Sequence, residues 1–231
     1  MRRFLASCSV VLVAVVLFGA CRGSGPKDSG SSDTKGDSSN SDFAQRYEDA
    51  AKQKFKITFK TGDEEDKTYA QDGNGNSVYT AGDSQTFTSS SGTVVCTTTS
   101  GAPTCGKVAA GQTPTAFLGL YNAGRTYLNA LGGKLGDVSS KTVAGRDAQC
   151  ATISAKSIGG ALGGALISGF KGSGTYCIDK DTGVLLEISS TDAAGDESTA
   201  FIVTKFEEPS ASEFTPPATA QTTTGYTLPG D

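Results

Sequence analysis

The sequence contains no histidine and no tryptophan, and only one methionine among 231 residues. Without histidine, a Ser-His-Asp triad, a Cys-His pair and a histidine-based zinc site are all excluded. Basic residues are also in short supply: 20 Lys and Arg face 24 Asp and Glu, a formal charge of −4. A chain of that sign is a poor match to a phosphate backbone, so nucleic acid is not an expected partner. No two cysteines stand at C-x-x-C spacing, which argues against zinc knuckles and thioredoxin-like redox chemistry.

The most telling segment is the start. Met1-Arg2-Arg3 supplies positive charge, residues 4–20 form a charge-free apolar run, and Gly19-Ala20 lead into Cys21. A run that short with those flanks reads as a secretion signal over 1–20 rather than a membrane-spanning helix. Leu17-Phe18-Gly19-Ala20-Cys21 resembles the lipobox of bacterial lipoproteins. The resemblance implies that the Cys21 thiol receives a diacylglyceryl group and becomes the mature N-terminus, on the extracytoplasmic face of the cell membrane. The competing reading is ordinary cleavage and release. Losing Arg2 and Arg3 takes the charge from −4 to −6. No Lys/Arg cluster follows Cys21, so anchoring should rest on acyl chains rather than on lipid charge.

Six cysteines are present. Cys8 leaves with the signal and Cys21 takes lipid, leaving Cys96, Cys105, Cys150 and Cys177 as an even set in an oxidising compartment. Three pairings are open, and Cys96–Cys105 with Cys150–Cys177 is favoured. The first would staple a short hairpin and the second would join neighbouring strands. Loop entropy makes them worth about 2.7 and 3.6 kcal/mol.

Residues 22–40 are dominated by Gly, Ser, Asp and Lys. Such a composition should stay a flexible tether with a reach of roughly 25 Å. Residues 41–217 read as one domain, and the Thr/Pro/Gly-rich stretch 218–231 as a loose tail. Ser41 or Asp42 can cap a helix carrying Phe43, Tyr47 and Ala51. Lys56, Thr58 and Lys60 then alternate with Phe55, Ile57 and Phe59, the pattern of a strand with one apolar face. Further strands are expected at 67–71, 77–80, 85–89 and 93–98, separated by Gly/Asn/Asp/Ser turns as in an antiparallel meander. Phe117, Leu120, Tyr121, Leu128 and Leu131 recur at helical spacing, and strands resume at 148–155, 174–179, 184–190 and 199–206. The fold class is therefore α+β: a single curved antiparallel sheet with two helices and a third, shorter candidate at 158–170. That segment is apolar and Gly-rich. It reads either as packed onto the core or as a mobile flap over a hydrophobic cavity.

Other patterns carry little. Asp72-Gly73-Asn74-Gly75-Asn76 with Asp83 imitates a calcium loop, yet Ser77 stands where that loop needs Gly and Asp83 where it needs Glu. A tight turn explains the same residues. Ser168 with Lys171 and Lys60-Thr61-Gly62 match penicillin-interacting motifs in the wrong order. The acidic run 63–66 reads as a solvated turn. Nothing points to an enzyme, a metal or a cofactor.

The order of elements resembles the LolA/LppX-like half-barrels. Three stretches add to it: Gly145-Arg146-Asp147-Ala148-Gln149-Cys150, Cys177-Ile178-Asp179-Lys180-Asp181-Thr182-Gly183-Val184-Leu185-Leu186, and Ser212-Glu213-Phe214-Thr215-Pro216-Pro217. The resemblance implies a half-barrel with its two or three helices on the concave side, where acyl chains of a lipid or lipoprotein are held. On that reading Phe55, Ile57, Phe59, Phe117, Tyr121, Leu128, Leu162, Leu166 and Phe170 line the cavity, each buried methylene contributing about 0.8 kcal/mol. The competing reading makes all nine dry core in an envelope sensor or interaction protein that docks a protein partner and needs no cavity.

Overall fold

The computed structural model describes residues 38–98, 101–108, 138–154 and 172–217. All fall within one unit, Lys35–Asp231. Helix α1 (Ser38–Asp49) runs into a one-turn 3-10 helix at Ala50–Lys52. Then come β1 (Lys54–Lys60), β2 (Lys67–Asp72), β3 (Ser77–Ala81), β4 (Ser84–Ser89), β5 (Gly92–Thr97) and β6 (Thr104–Lys107). The second series is β7 (Val138–Val143), β8 (Arg146–Ser154), β9 (Ser173–Asp179), β10 (Leu185–Thr191) and β11 (Glu197–Glu207). A short 3-10 turn at Ala211–Phe214 follows.

The eleven strands form one antiparallel sheet in the order β6-β5-β4-β3-β2-β1-β11-β10-β9-β8-β7. Each series is a meander of consecutive hairpins, and the two are joined where β1 pairs with β11 (Lys56↔Glu207, Phe59↔Val203). The sheet does not close, because β6 and β7 sit at opposite edges. Both edges are blunted as exposed edges usually are: β6 is four residues long, and β7 exposes Ser139, Ser140, Lys141 and Thr142. Register shifts fall at Thr58/Phe59, Leu185/Glu187 and Ile188/Ser189, all at the seam or just beyond it. Such bulges bend a strand and sharpen its twist, consistent with a curved sheet.

The apolar face predicted for β1 is the face covered by α1. Phe55, Ile57 and Phe59 are each 1% exposed and pack in one cluster with Phe43, Tyr47, Ala50, Tyr69, Phe201 and Val203. The Phe59 ring lies 4.9 Å from that of Phe201. Ala50, not the predicted Ala51, completes the helical stripe; Ala51 is exposed. The reason is the helical period, which puts i, i+4 and i+7 on one face. The helix also begins earlier than the predicted cap, at Ser38, within the stretch assigned to the tether. Among the described residues there is one α-helix, and it is not long and apolar enough to cross a membrane. The expected helices at 114–131 and 158–170 lie outside the described residues, as do Cys21, the leader and the tail.

This helical segment is clamped at its middle and at its C-terminal end. Arg46 donates from Nη1 to the Lys180 carbonyl at 2.9 Å. At the C-terminal end Gln71 Nε2 lies 2.7–3.1 Å from the carbonyls of Ala50, Ala51 and Gln53. Two glycines permit the approach. Gly183 (φ +73) lies against the Arg46 carbonyl, and a Cβ on Gly73 (φ +76) would stand 2.5 Å from the Lys52 carbonyl oxygen.

Gly183→Ala and Gly73→Ala should therefore each lower stability by about 2–4 kcal/mol, combining left-handed strain with a backbone collision. Gly62→Ala, at φ +59 with nothing nearby, should cost only about 1 kcal/mol. Urea unfolding of the three variants checks the difference; equal losses at all three positions would refute the clamp.

Candidate ligand-binding groove

Because partners in the ladder share a face, the register divides the sheet cleanly. Opposite α1, β2, β3 and β4 present Ala70, Val78 and Phe87 in one row and Thr68, Thr80 and Gln85 in the next. The apolar row joins Cys96, Cys105, Val94 and Phe214 in a second, smaller core. Across it lies the C-terminal strap, residues 209–217. Its turn is held by a capping box: Glu213 Oε1 accepts from the Ser210 amide at 3.2 Å and from its hydroxyl at 3.3 Å. The other oxygen of Glu213 meets Lys56 Nζ of β1 at 3.0 Å. Burial works against the Glu213 charge, but Lys56 and the Ser210 amide outweigh it, so the carboxyl is held below its usual range.

Between strap and sheet is an open groove of about 420 Å³. Ala70, Val78 and Phe87 form its floor; Thr68, Thr80, Gln85, Ser212 and Thr215 form much of its wall. A smaller hollow of about 210 Å³ lies on the α1 face, between Ala51 and the residues Tyr69, Gln71, Gly73, Asn76 and Thr88.

The predicted site residues are placed unevenly. Phe55, Ile57 and Phe59 are brought together, but as closed packing beneath α1, lining neither the groove nor the hollow. Phe117, Tyr121, Leu128, Leu162, Leu166 and Phe170 lie outside the described residues. The favoured disulfides Cys96–Cys105 and Cys150–Cys177 are both formed, each between directly opposed strand residues. Asp72 makes a turn: its carboxylate accepts from the Asn74 and Asn76 amides at 2.7 and 3.0 Å and from Asn76 Nδ2 at 2.6 Å. Asp192 repeats the arrangement with the Ala194 and Asp196 amides. The groove itself has no local sequence signal, since Thr68, Thr80 and Gln85 share their face with Ala70, Val78 and Phe87. Reading it needed the strap, whose position the sequence does not reveal.

A buried ion pair lies at the end of the second meander. Asp179, 1% exposed, accepts from Arg146 Nε at 2.7 Å and from the Thr182 amide and hydroxyl at 2.8 Å each. The Arg146 guanidinium also stands 4.9 Å from the centre of the Phe206 ring. It thereby ties β8, β9 and β11 together.

No family model matches the chain, and no curated protein matches it. Among solved structures the chain is similar to MucB, with 17% identity, a TM-score of 0.49, and coverage of 84% of this chain and 70% of that one. It is also similar to the MucA/MucB complex of Pseudomonas aeruginosa (17% identity, TM-score 0.45, 84% and 68%). A third is LprF from Mycobacterium bovis (13% identity, TM-score 0.40, 78% and 98%). Likenesses at that level establish no family.

Burial opposes the Asp179 charge, yet Arg146 and the Thr182 donors prevail and hold its pKa below the usual carboxylate value. A depressed folded pKa contributes stability that is complete above the unfolded value of about 3.9 and is lost as the pH falls through the folded one. Arg146→Met should cost about 3 kcal/mol at pH 7 by leaving the buried Asp179 carboxylate without its charge partner. Melting curves from pH 7 to pH 3 should show that deficit shrinking as the pH falls, because in the variant the buried Asp179 loses the partner that holds its pKa down and takes up a proton before the wild-type group does. A deficit independent of pH would mean that Arg146 acts through packing alone.

Proposed function

We propose that this protein is an exported envelope lipoprotein, tethered through lipid on Cys21, that works as a binding and interaction module rather than as an enzyme or a lipid carrier. The observation that carries this reading is the closed packing of Phe55, Ile57 and Phe59 beneath a helix clamped at its middle and at its C-terminal end. An acyl chain entering between α1 and β1 would have to break the Gln71 and Arg46 hydrogen bonds and displace Phe43 and Tyr47. A docking module needs no such opening and works with an outer surface on a rigid sheet. Two disulfides fit an oxidising, extracytoplasmic setting. The net negative charge fits a tether that holds the domain off an anionic membrane surface.

The carrier reading needs a cavity walled by Phe117, Tyr121, Leu128, Leu162, Leu166 and Phe170, so lipid content decides between the two. Native mass spectrometry of the exported chain, released by a Cys21→Ser substitution and purified without detergent, should give a clean apo mass. The mass should stay apo after incubation with envelope lipid extract. Discrete phospholipid or glycolipid adducts that vanish on denaturation would overturn the module reading in favour of a carrier. Fractionation of the same cells tests the anchor: wild-type protein should sediment with membranes and the Cys21→Ser variant should not.

Phe59→Ala should destabilise the domain by about 3–5 kcal/mol, as for a large aromatic removed from a packed core. A Tm within a degree of wild type would place Phe59 on a cavity wall instead.

A further inference from the structure

The turn between β2 and β3 reads Asp72-Gly73-Asn74-Gly75-Asn76, and it holds both Asx-Gly pairs of the chain. In such a pair the glycine nitrogen can attack the side-chain carbonyl carbon of the residue before it, since glycine has no Cβ to obstruct the approach. The turn treats its two pairs differently. At Asp72-Gly73 the carboxylate is held as an Asx-turn by the Asn74 and Asn76 amides and by Asn76 Nδ2. Gly73 is backed against the Lys52 carbonyl. Neither group is free to move toward the other.

At Asn74-Gly75 those restraints are missing. Both residues are exposed, and nothing lies within 4 Å of where a Gly75 Cβ would stand. The Gly75 amide donates no hydrogen bond among the described residues. The Asn74 carboxamide makes one long contact, 3.4 Å from Nδ2 to the Asp72 carbonyl. Asn76, by contrast, is bonded to Asp72 through its side chain and both main-chain groups, and Ser77 after it opens β3.

We propose that Asn74 is a site of spontaneous deamidation, and that its conversion loosens the hold of this turn on α1. The Gly75 nitrogen gives its proton to water and attacks Asn74 Cγ. The new N–C bond closes a succinimide ring, the Cγ–Nδ2 bond breaks, and Nδ2 takes up a proton and departs as ammonia. One water then opens the ring. Attack at Cγ leaves aspartate at position 74; attack at the main-chain carbonyl carbon leaves isoaspartate, whose chain runs through the side-chain carbon. Nothing is oxidised or reduced, and water is the only co-reactant. Either product disturbs the turn. Aspartate sets a second carboxylate beside that of Asp72, and like charges repel. Isoaspartate adds a carbon to a loop of residues 73–76 whose ends are pinned by Asp72 N to Asn76 O at 3.1 Å. That loop carries Gly73 against Lys52 and follows Gln71, which holds the carbonyls of Ala50, Ala51 and Gln53.

The test is ageing of the lipidated full chain in warm, mildly alkaline buffer made with heavy-oxygen water. Peptide mapping by mass spectrometry, with aspartate and isoaspartate peptides separated, follows each site beside a guanidinium-unfolded sample of the same chain. Position 74 should convert at least tenfold faster than Asn76 or Asp72, and within about threefold of its rate in the unfolded chain. Isoaspartate should be the larger product. Aged protein should melt a few degrees below fresh protein, whereas Asn74→Gln, aged alongside, should keep its melting temperature. A folded chain that keeps the Asn74 amide while the unfolded chain loses it would overturn the proposal. Conversion of Asn76 at the same rate would do so too. Complete conversion with no fall in melting temperature would overturn the link to α1.

Discussion

The pairing of β1 with β11 is the constraint on which the rest of the structure depends. Every other pair of neighbours in the sheet is a hairpin between consecutive strands. Most of those pairs are joined by short loops and can form locally with little entropy lost to closure, the exception being β8 and β9, which are separated by residues 155–172. The seam is different: it brings the first strand to the last, and without it the chain is two separate meanders of six and five strands. Non-local pairings of this kind are the slow part of assembling a sheet, because the entropy of closure is lost before the contact forms. Aromatic side chains meet across the seam. Phe55 stacks near Phe206 with ring centres 6.2 Å apart, and Phe59 meets Phe201 at 4.9 Å.

The helix acts on the same seam. Its last turn is fixed to the β2–β3 end of the first meander through Gln71 and Gly73. Its middle is fixed to the β9–β10 turn of the second through Arg46, Lys180 and Gly183. A segment bonded to both meanders and lying on their junction holds them in one relative position. The bulges fit this picture: β2 to β6 pair without a register shift, while three shifts cluster between β1 and β9. At one of them Val184, Leu185 and Leu186 are all buried in succession. Strict alternation in a strand with one wet face would not allow that, and a bulge does.

Where periodicity is strong, the sequence was legible. The unbroken alternation of β1, the Gly- and Asn-marked turns of the first meander and the pairing of four cysteines all carried over into the structure. What could not be read had physical causes. Val138–Val143 shows no apolar alternation because an edge strand with an exposed Ser-Ser-Lys-Thr needs none. Thr104–Lys107 is too short to show a period at all. The groove was invisible for another reason. Its rows come from three strands in register and its wall from a strap more than a hundred residues away, so no local pattern contains it. The apolar row of β1 was visible, but periodicity tells which side chains share a face and not whether a helix or a ligand covers them.

The two faces of the sheet differ in what they have left to offer. Beneath α1 the aromatic side chains are dry and the helix carbonyls nearest the sheet are taken by Gln71, so that face is energetically finished. The opposite face keeps four half-buried or exposed polar side chains whose bonding is left to water or to a ligand. Its walls are fixed in advance. Cys96–Cys105 lies in the core beneath the groove, the capping box holds the strap, and Lys56–Glu213 joins the strap to the sheet. A binding surface that is rigid before the ligand arrives loses little conformational entropy when it is occupied. Rigidity matters most for a ligand recognised mainly through hydrogen bonds, whose net gain over water is small for each bond. The core cluster under α1 is fastened in the same way, by Cys150–Cys177, so a disulfide alone distinguishes neither face.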